Sequence, residues 1–158
     1  MSYHEQHLRG YVVSDDPSRL QLAVIHEYLS CQSYWSRGIP VETLHRALAN
    51  SLCVGVYAED GQQVGLARVI TDRATYAWLC DVFVLPTHQK KGLGKALLRA
   101  VVSHPDLQGL RRLALATADA HELYAQFGFT PLEEPRRHME KRNFRVYSAE
   151  TREASGSS

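Results

Sequence analysis

The sequence contains little cysteine, almost no net charge and no long apolar run. Its 158 residues include three cysteines, none in a CxxC pair, so neither a disulfide framework nor a zinc ribbon is expected. The 18 Lys and Arg residues oppose 17 Asp and Glu residues, and the net charge of +1 offers no basic surface for nucleic acid or an anionic membrane. The longest apolar run, Tyr76 to Cys80, has five residues, whereas a helix that spans a bilayer needs about 20. Neither nucleic acid nor membrane is therefore an expected partner.

The remaining composition is that of an ordinary globular chain. Hydrophobic residues make up 44% of it and charged residues 22%, which is typical of a chain that folds around one core. We therefore expect a single domain over residues 1–147. Residues 148–158 (SAETREASGSS) have almost no apolar content and are expected to form a disordered tail. The polar N-terminal stretch lacks the apolar segment of a secretory signal, so a cytoplasmic location is expected.

The apolar patterning alternates between the period of a strand and the period of a helix. Strands are predicted over residues 8–13, 52–58, 64–70, 75–85, 112–117 and 138–144. Helices are predicted after the Asp15-Asp16-Pro17 start, over residues 41–50, from Gly92, and from Asp119, the expected N-cap, to Gly128. Asp60-Gly61 predicts a tight hairpin turn. This order of elements predicts an α/β (α+β) fold with helices on the faces of a sheet.

The segment after the predicted strand 75–85 has the features of an anion-binding turn. It leads directly into an amphipathic helix, and it reads Gln89-Lys90-Lys91-Gly92-Leu93-Gly94-Lys95. A helix N-terminus presents unpaired N–H groups, and glycine lets a phosphate approach them. Leu97 occupies the third small position of a dinucleotide fingerprint, and Ala96 replaces the Ser or Thr of a P-loop, so neither motif is present. A plain turn with solvated lysines is the alternative interpretation.

The pattern Gln89-x-x-Gly92-x-Gly94, placed between a long strand and a helix, resembles the signature of the GNAT superfamily of N-acetyltransferases. A second segment, Ala120-x-x-x-Tyr124-x-x-x-Gly128-Phe129, is similar to another motif of that family, and the resemblance extends over residues 8–144. It implies a mixed, mostly antiparallel sheet flanked by about four helices. It also implies acetyl-CoA as the co-substrate, with no metal.

The resemblance assigns the acetyl-CoA contacts to two stretches of the chain. The N–H groups of the turn would bind the pyrophosphate, and the preceding strand would bond the pantetheine amides and the thioester oxygen. The residues implied are Val82, Phe83, Val84, Gln89, Lys90, Lys91, Gly92, Leu93, Gly94 and Lys95. Tyr124 matches the position of the acid that protonates the departing thiolate, although a Tyr on an apolar helix face is usually a core residue.

Asp81 is the local candidate for handling the amine, because an unpaired charge in an otherwise apolar strand is costly. By alternation it is expected to share a face with Leu79 and Phe83. It either holds the substrate ammonium, accepts its proton through water, or is structural and pairs with an Arg such as Arg68. Cys80 has no identifiable partner His and is interpreted as a small buried hydrophobic residue.

Three further residues are candidates for the acceptor pocket, namely Tyr34, Trp35 and Arg68. In the GNAT fold the break that holds Tyr34 and Trp35 overhangs the acceptor side, and an Arg could bind an acceptor carboxylate. Core packing of the aromatic rings and pairing of Arg68 with an Asp are the alternatives. The segments around Tyr34 and Arg68 are similar to those of a small bacterial subgroup whose substrate has no assigned name.

The resulting prediction is an N-acetyltransferase. It would transfer acetyl from acetyl-CoA to a primary amine of a small molecule or peptide, by direct attack in a ternary complex. The alternatives are a non-catalytic acyl-CoA-binding sensor and an acyltransferase that uses a longer acyl-CoA. The resemblance also allows a homodimer.

Overall fold

Six strands form one mixed sheet in the computed structural model, which describes residues 3–148. The strands lie in chain order, and neighbours are antiparallel except for the last pair, which is parallel. They are β1 (Glu5–Leu8), β2 (Tyr11–Ser14), β3 (Leu52–Tyr57), β4 (Gln63–Thr71), β5 (Tyr76–Val84) and β6 (Arg112–Ala114). The helices are α1 (Leu22–Glu27), extended by a π-helix over Tyr28–Gln32, α2 (Val41–Ala49), α3 (Leu93–Val102) and α4 (His121–Ala125). The predicted α/β class, with a mostly antiparallel sheet, is confirmed.

Apolar side chains cover both faces of the sheet. On the first, called here the α3 face, helix α3 packs through Leu97 and Val101 against strand residues such as Val54. On the second, called the α1 face, α1 and α2 pack through Ile25, Leu29 and Leu44 against Cys53, Leu66 and Phe83. The first predicted helix therefore buries one apolar face, through Ile25 and Leu29.

The N-terminal part of the sheet differs from its prediction. Residues 8–13 were expected to form one strand, but Arg9 and Gly10 have φ values of 48° and 85° and reverse the chain between β1 and β2. Two successive residues with positive φ match the twist of a two-residue hairpin turn, and glycine accepts this conformation readily. The helix predicted from Asp15-Asp16-Pro17 begins as a short 3-10 turn, Pro17–Arg19, and the α-helix starts only at Leu22. The hairpin predicted at Asp60-Gly61 forms, but its loop has the three residues 59–61 rather than two, because the Ala58 N–H donates to the Gln62 carbonyl and Gly61 takes a φ of 87°.

The C-terminal part contains less regular structure than predicted. Strand β6 ends at Ala114 rather than Thr117, and α4 ends at Ala125. The strand predicted over residues 138–144 is wrong: no residue there pairs with the sheet within the described chain. Its sequence, HMEKRNF, has only Met139 and Phe144 as large apolar residues, and their odd separation puts them on opposite faces of a strand, so neither face offers an apolar surface to bury. The predicted tail, apart from Ser148, lies outside the described residues.

The helices of the described part are short. The longest α-helix, α3, has ten residues. No helix among residues 3–148 combines the length and apolar character needed to cross a membrane.

Candidate active site

Strands β5 and β6 separate after a short parallel contact, and this leaves an open edge on the central strand. Their pairing covers only Tyr76↔Arg112, Ala77↔Leu113 and Trp78↔Ala114. The last six residues of β5, 79–84, continue beside β4 alone. Main-chain groups on the far side of β5 are therefore available to an extended ligand, which could bond them as an added strand would.

A β-bulge at Asp81 reverses the side-chain alternation in the middle of β5. Asp81 has a φ of 51°, and the β4–β5 register shifts between Leu66 and Arg68. As a result Leu79 belongs to the α3 face, whereas Phe83 belongs to the α1 face. The expectation that Asp81 shares a face with both residues is wrong, because one extra residue changes the side to which later side chains point.

The turn after β5 presents a series of unpaired N–H groups. Lys90 and Gly92 have φ values of 63° and 78°, so the chain turns sharply into α3. No side chain caps the helix, and the first helical bond runs from the Ala96 N–H to the Gly92 carbonyl. None of the N–H groups of residues 90–95 donates a hydrogen bond to the described chain. A Cβ built on Gly92 or Gly94 would meet no atom within 4 Å. The turn therefore has both the donors and the room for a phosphate group.

Two of the predicted cofactor residues are occupied within the protein. The Gln89 Nε2 donates to the Val84 carbonyl at 3.0 Å, so this side chain ties the turn to the end of β5. Phe83 is the ladder partner of Leu66, and the Leu85 N–H bonds the Val64 carbonyl at 2.8 Å. By antiparallel alternation the main chain of Phe83 faces β4, while that of Val82 and Val84 faces the open edge. The Phe83 ring itself stacks on Tyr28, with ring centroids 4.1 Å apart.

Asp81 is the centre of a buried polar group on the α1 face. Its Oδ2 accepts from the Arg68 Nε at 2.7 Å, and its Oδ1 accepts from the Trp35 Nε1, also at 2.7 Å. The Asp81 side chain is 4% exposed and that of Arg68 is 15% exposed. Burial alone would lower the pKa of Arg68, but the charge and the hydrogen bond of Asp81, with smaller effects of Cys80 and Cys53, together raise that pKa. The structure thus brings the predicted residues Asp81, Arg68 and Trp35 together, in the pairing that the structural alternative for Asp81 described.

Arg68 also has a partner that the sequence did not indicate. Its Nη1 donates to the Ser51 Oγ at 3.0 Å, and that hydroxyl in turn donates to the Ala47 carbonyl in the last turn of α2. This chain of bonds links helix α2 to β4 and β5. Ser51 lies in a short loop with no distinguishing pattern, so only the fold identifies it.

The gap between β5 and β6 beyond Trp78 is called here the opening. Tyr124 lies on α4, which follows β6 in the chain. Its ring packs edge-on against Phe129, with centroids 5.8 Å apart, and its hydroxyl makes no hydrogen bond to a described residue. Burial, with smaller effects of Tyr34 and Asp119, raises the pKa of Tyr124 above its ordinary value of 10.0. The phenol therefore stays protonated at neutral pH and can donate a proton.

Tyr34 connects the two sides of the opening. It is 61% exposed, its ring contacts Trp35 edge-on, and its hydroxyl accepts from the Ala118 N–H at 3.3 Å. A residue from the break after α1 thus reaches the loop before α4. The role of Tyr34 and Trp35 in an acceptor pocket stays a prediction.

The loop before α4 corrects the predicted helix cap. Asp119 was expected to cap the helix, but the Thr117 Oγ1 accepts from the Ala120 N–H at 3.1 Å, and the N-cap position belongs to Ala120. Thr117 therefore stabilises the loop rather than leaving its hydroxyl free. Cys80 is a weak nucleophile in these surroundings, because burial raises the pKa of its thiol to about 12.

A second polar cluster lies away from the opening, where β1, β2 and the end of α3 meet. Asp15 accepts from His104 at 2.7 Å and lies 3.0 Å from the His4 Nδ1. No local sequence pattern indicates this cluster, because 89 residues separate Asp15 from His104. The His104 Nδ1 accepts from the Asp106 N–H, so its Nε2 carries the proton that it donates to Asp15. These bonds satisfy the buried groups and make the cluster structural.

Comparison with known proteins identifies the family to which this chain is similar. The model of the acetyltransferase (GNAT) family matches residues 22–129. A protein of Gibberella zeae named as an acetyltransferase is 36% identical over 137 residues, which cover 73% of this chain and 76% of the relative. A crystal structure of a GNAT-family acetyltransferase from Xanthomonas campestris pv. campestris superposes with a TM-score of 0.87 at 50% identity, covering 90% of this chain and 100% of that one.

The chain therefore belongs to the GNAT family of acetyltransferases. It is an acyltransferase enzyme, as the sequence predicted. A more distant structure, an acetyltransferase from Clostridium acetobutylicum solved with acetyl-CoA, shares the fold with a TM-score of 0.58 at 16% identity, and covers 89% of this chain and 95% of that one.

Proposed function

We propose that this chain transfers an acetyl group from acetyl-CoA to a primary amine of a small molecule or peptide, in a ternary complex and without a covalent enzyme intermediate. The observation that carries the proposal is the series of unpaired N–H groups at residues 90–95, directly after the open edge of β5. A pyrophosphate joined to an extended amide-containing chain matches this pair of features. The solved Clostridium relative with acetyl-CoA has the same fold, which supports the choice of ligand.

The turn and β5 are the proposed binding surface for acetyl-CoA. The N–H groups of residues 90–95 would bind the pyrophosphate, with support from the helix dipole and from Lys90, Lys91 and Lys95. The open-edge groups of Val82 and Val84 would bond the pantetheine amides and the thioester oxygen. Gln89 holds the turn in place through the Val84 carbonyl rather than through the ligand. Phe83 supports the site by stacking on Tyr28.

Tyr124 is the proposed general acid. Acetyl-CoA supplies a thioester whose carbonyl carbon is attacked by the amine while the carbon–sulfur bond breaks. The Tyr124 O–H donates its proton to the leaving sulfur. It is available to do so because it makes no hydrogen bond to a described residue. The phenol is intrinsically the weaker acid by about 1.5 pKa units, so the transfer depends on coupling to bond breaking.

The acceptor side is proposed to lie under Tyr34, beside Trp35. Both carboxylate oxygens of Asp81 already accept a hydrogen bond, so we assign Asp81 to positioning the Trp35 ring rather than to removing the substrate proton. Water in the opening would then carry the proton away. Arg68 neutralises Asp81 and is not the partner of an acceptor carboxylate.

The Tyr124→Phe variant tests the mechanism. We expect turnover with acetyl-CoA and a responsive amine to fall by about 100-fold or more, while acetyl-CoA affinity measured by calorimetry changes by less than about threefold. Because the pKa of Tyr124 is raised above 10.0, its phenol should stay protonated up to about pH 10, and wild-type turnover should fall through loss of this acid only above that pH. Thiol release across an amine panel, with acetyl-CoA and longer acyl-CoAs, measures turnover and acyl preference together.

Tyr76→Phe is the matched control, because Tyr76 lies at the far end of β5 and its hydroxyl has no hydrogen-bond partner in the described chain. It should leave turnover unchanged. Unchanged turnover in Tyr124→Phe would remove the acid assignment. Uptake of acetyl-CoA without stimulation of thiol release by any amine would instead favour the sensor alternative.

A further inference from the structure

The backbone of the turn between β5 and α3 is strained at one residue. Lys90 has a φ of 63°, in the left-handed region that residues other than glycine seldom adopt. Gly92, two residues later, has a φ of 78° without that strain. A strained backbone conformation persists only when the contacts around it hold it in place. The contacts that hold Lys90 should therefore be found on its neighbours.

Tyr11, the first residue of β2, contacts the turn on both sides of Lys90. Its hydroxyl lies 2.8 Å from the His88 Nδ1, and the two rings meet edge-on with their centroids 5.7 Å apart. The Lys91 Nζ donates to the same hydroxyl at 3.3 Å and lies 5.8 Å from the centroid of the Tyr11 ring. These contacts join residues that are 77 and 80 positions apart in the chain, so no local pattern in the turn indicates them.

The three side chains form one directed series of hydrogen bonds. An ammonium group only donates, so the phenol oxygen of Tyr11 accepts from Lys91 and keeps its own proton for His88. In the neutral imidazole of His88, Nδ1 is then the acceptor and the proton lies on Nε2. Removal of the phenol oxygen therefore breaks both contacts at once and leaves the ring of Tyr11 in place.

The strand that carries Tyr11 gives the turn a rigid support. β2 lies between β1 and β3 and pairs with both. The Tyr11 ring also packs against the apolar cluster of the α3 face. At a second point the Gln89 Nε2 bonds the Val84 carbonyl, which ties the turn to the end of β5. The turn is thus held to two different strands of the sheet, on either side of its strained residue in the case of Tyr11.

We propose that Tyr11 is a positioning residue for the diphosphate of acetyl-CoA, because it holds the turn in the conformation that presents the unpaired N–H groups. The inference rests on the proposed function, in which the N–H groups of residues 90–95 bind the diphosphate. A turn that is already ordered binds its ligand without the cost of ordering, and successive N–H groups held in one concave turn attract an anion together. Loss of the Tyr11 hydroxyl should therefore weaken binding and leave the chemical step unchanged.

The Tyr11→Phe variant tests this role, because it removes the hydroxyl and keeps the ring. We expect the Kd for acetyl-CoA in calorimetry, and its KM, to rise about fivefold, as for the loss of one ordinary hydrogen bond. The kcat at saturating acetyl-CoA should stay within about twofold of the wild type. In the ligand-free protein, trypsin cleavage after Lys90 and Lys91, followed by mass spectrometry, should become faster because the turn opens more often. Tyr76→Phe is the matched control and should change none of these quantities.

The Lys90→Asn variant separates positioning from a direct contact with the ligand. Asparagine tolerates the left-handed φ better than lysine does, so the turn then depends less on Tyr11. In the Lys90→Asn background, the further change Tyr11→Phe should raise the Kd for acetyl-CoA by less than about twofold. A rise as large as in the lysine background would overturn the proposal, because Tyr11 would then act on the ligand and not through the strained backbone.

An unchanged Kd in Tyr11→Phe would also overturn the proposal, and so would an unchanged rate of trypsin cleavage in the turn. The Gly94→Ala variant distinguishes this failure from failure of the proposed function. If the wild type binds acetyl-CoA and Gly94→Ala weakens that binding, the turn remains the diphosphate site and only the role of Tyr11 is refuted. If the wild type binds no acetyl-CoA, or if Gly94→Ala leaves the affinity unchanged, the proposed site is wrong and the role of Tyr11 is refuted with it.

Discussion

The buried pair of Asp81 and Arg68 gives the sharpest test of how the acceptor side is built. Asp81→Asn removes one charge and keeps nearly the same shape, and asparagine tolerates the φ of 51° that the bulge requires. The guanidinium of Arg68 then remains 85% buried without a counter-charge, given its side-chain exposure of 15%.

Breaking a buried pair from one side costs about 3–5 kcal/mol. The Arg68 Nη1 keeps its bond to Ser51, and part of the side chain reaches solvent, so the lower end of that range applies. We therefore expect Asp81→Asn to lower the free energy of unfolding by about 3 kcal/mol. Urea unfolding followed by circular dichroism measures this change, and Trp35 fluorescence should shift because its N–H loses an anionic acceptor.

The double variant Asp81→Asn/Arg68→Met is the matched comparison. It removes both charges, so it should be more stable than Asp81→Asn alone. Together with the two single variants it completes a double-mutant cycle, which gives the interaction energy of the Asp81–Arg68 pair. A loss of less than about 1 kcal/mol in Asp81→Asn would refute the positioning role, since that is the size of a solvent-exposed ion pair. The pH dependence of turnover in Asp81→Asn is an independent test. If Asp81 only positions Trp35, the variant keeps the acidic limb of the wild-type pH profile. If Asp81 is the base, that limb disappears in the variant.

Two further predictions address the turn and the histidine cluster. Gly94→Ala places a methyl group in the space before the unpaired N–H groups, where no protein atom lies within 4 Å; it should therefore weaken acetyl-CoA binding in calorimetry while the melting temperature is unchanged or higher. An unchanged affinity would place the pyrophosphate elsewhere. Burial would raise the pKa of Asp15, but hydrogen bonds with His4 and His104 outweigh it and lower the pKa. Asp15 thus contributes stability above the unfolded pKa of about 3.9, and the contribution is lost as pH falls through the folded pKa. Asp15→Asn should cost about 1–2 kcal/mol at pH 7, and urea midpoints should show this difference shrinking toward pH 3; a difference that is constant with pH would contradict the role of the charge.

The sequence by itself determined the elements that depend on neighbours along the chain. The long apolar run of β5, the glycines of the turn and the apolar stripe of α3 are local patterns, and each forms where it was predicted. Tyr124 was predicted only through the resemblance to the GNAT family, because a Tyr on an apolar helix face is otherwise usually a core residue. These features were enough to indicate the family and the anion-binding turn.

The tertiary structure alone decided what depends on distant residues meeting. The bulge at Asp81 arises from the β4–β5 register, and it turned Asp81 toward Arg68 and Trp35 instead of keeping it beside Leu79. Asp15 and His104 meet only when β2 lies beside the end of α3. Residues 138–144 were predicted to form a strand, but a strand needs a partner edge with free donors and acceptors. No pattern within a segment records which edge, or which molecule, supplies that partner.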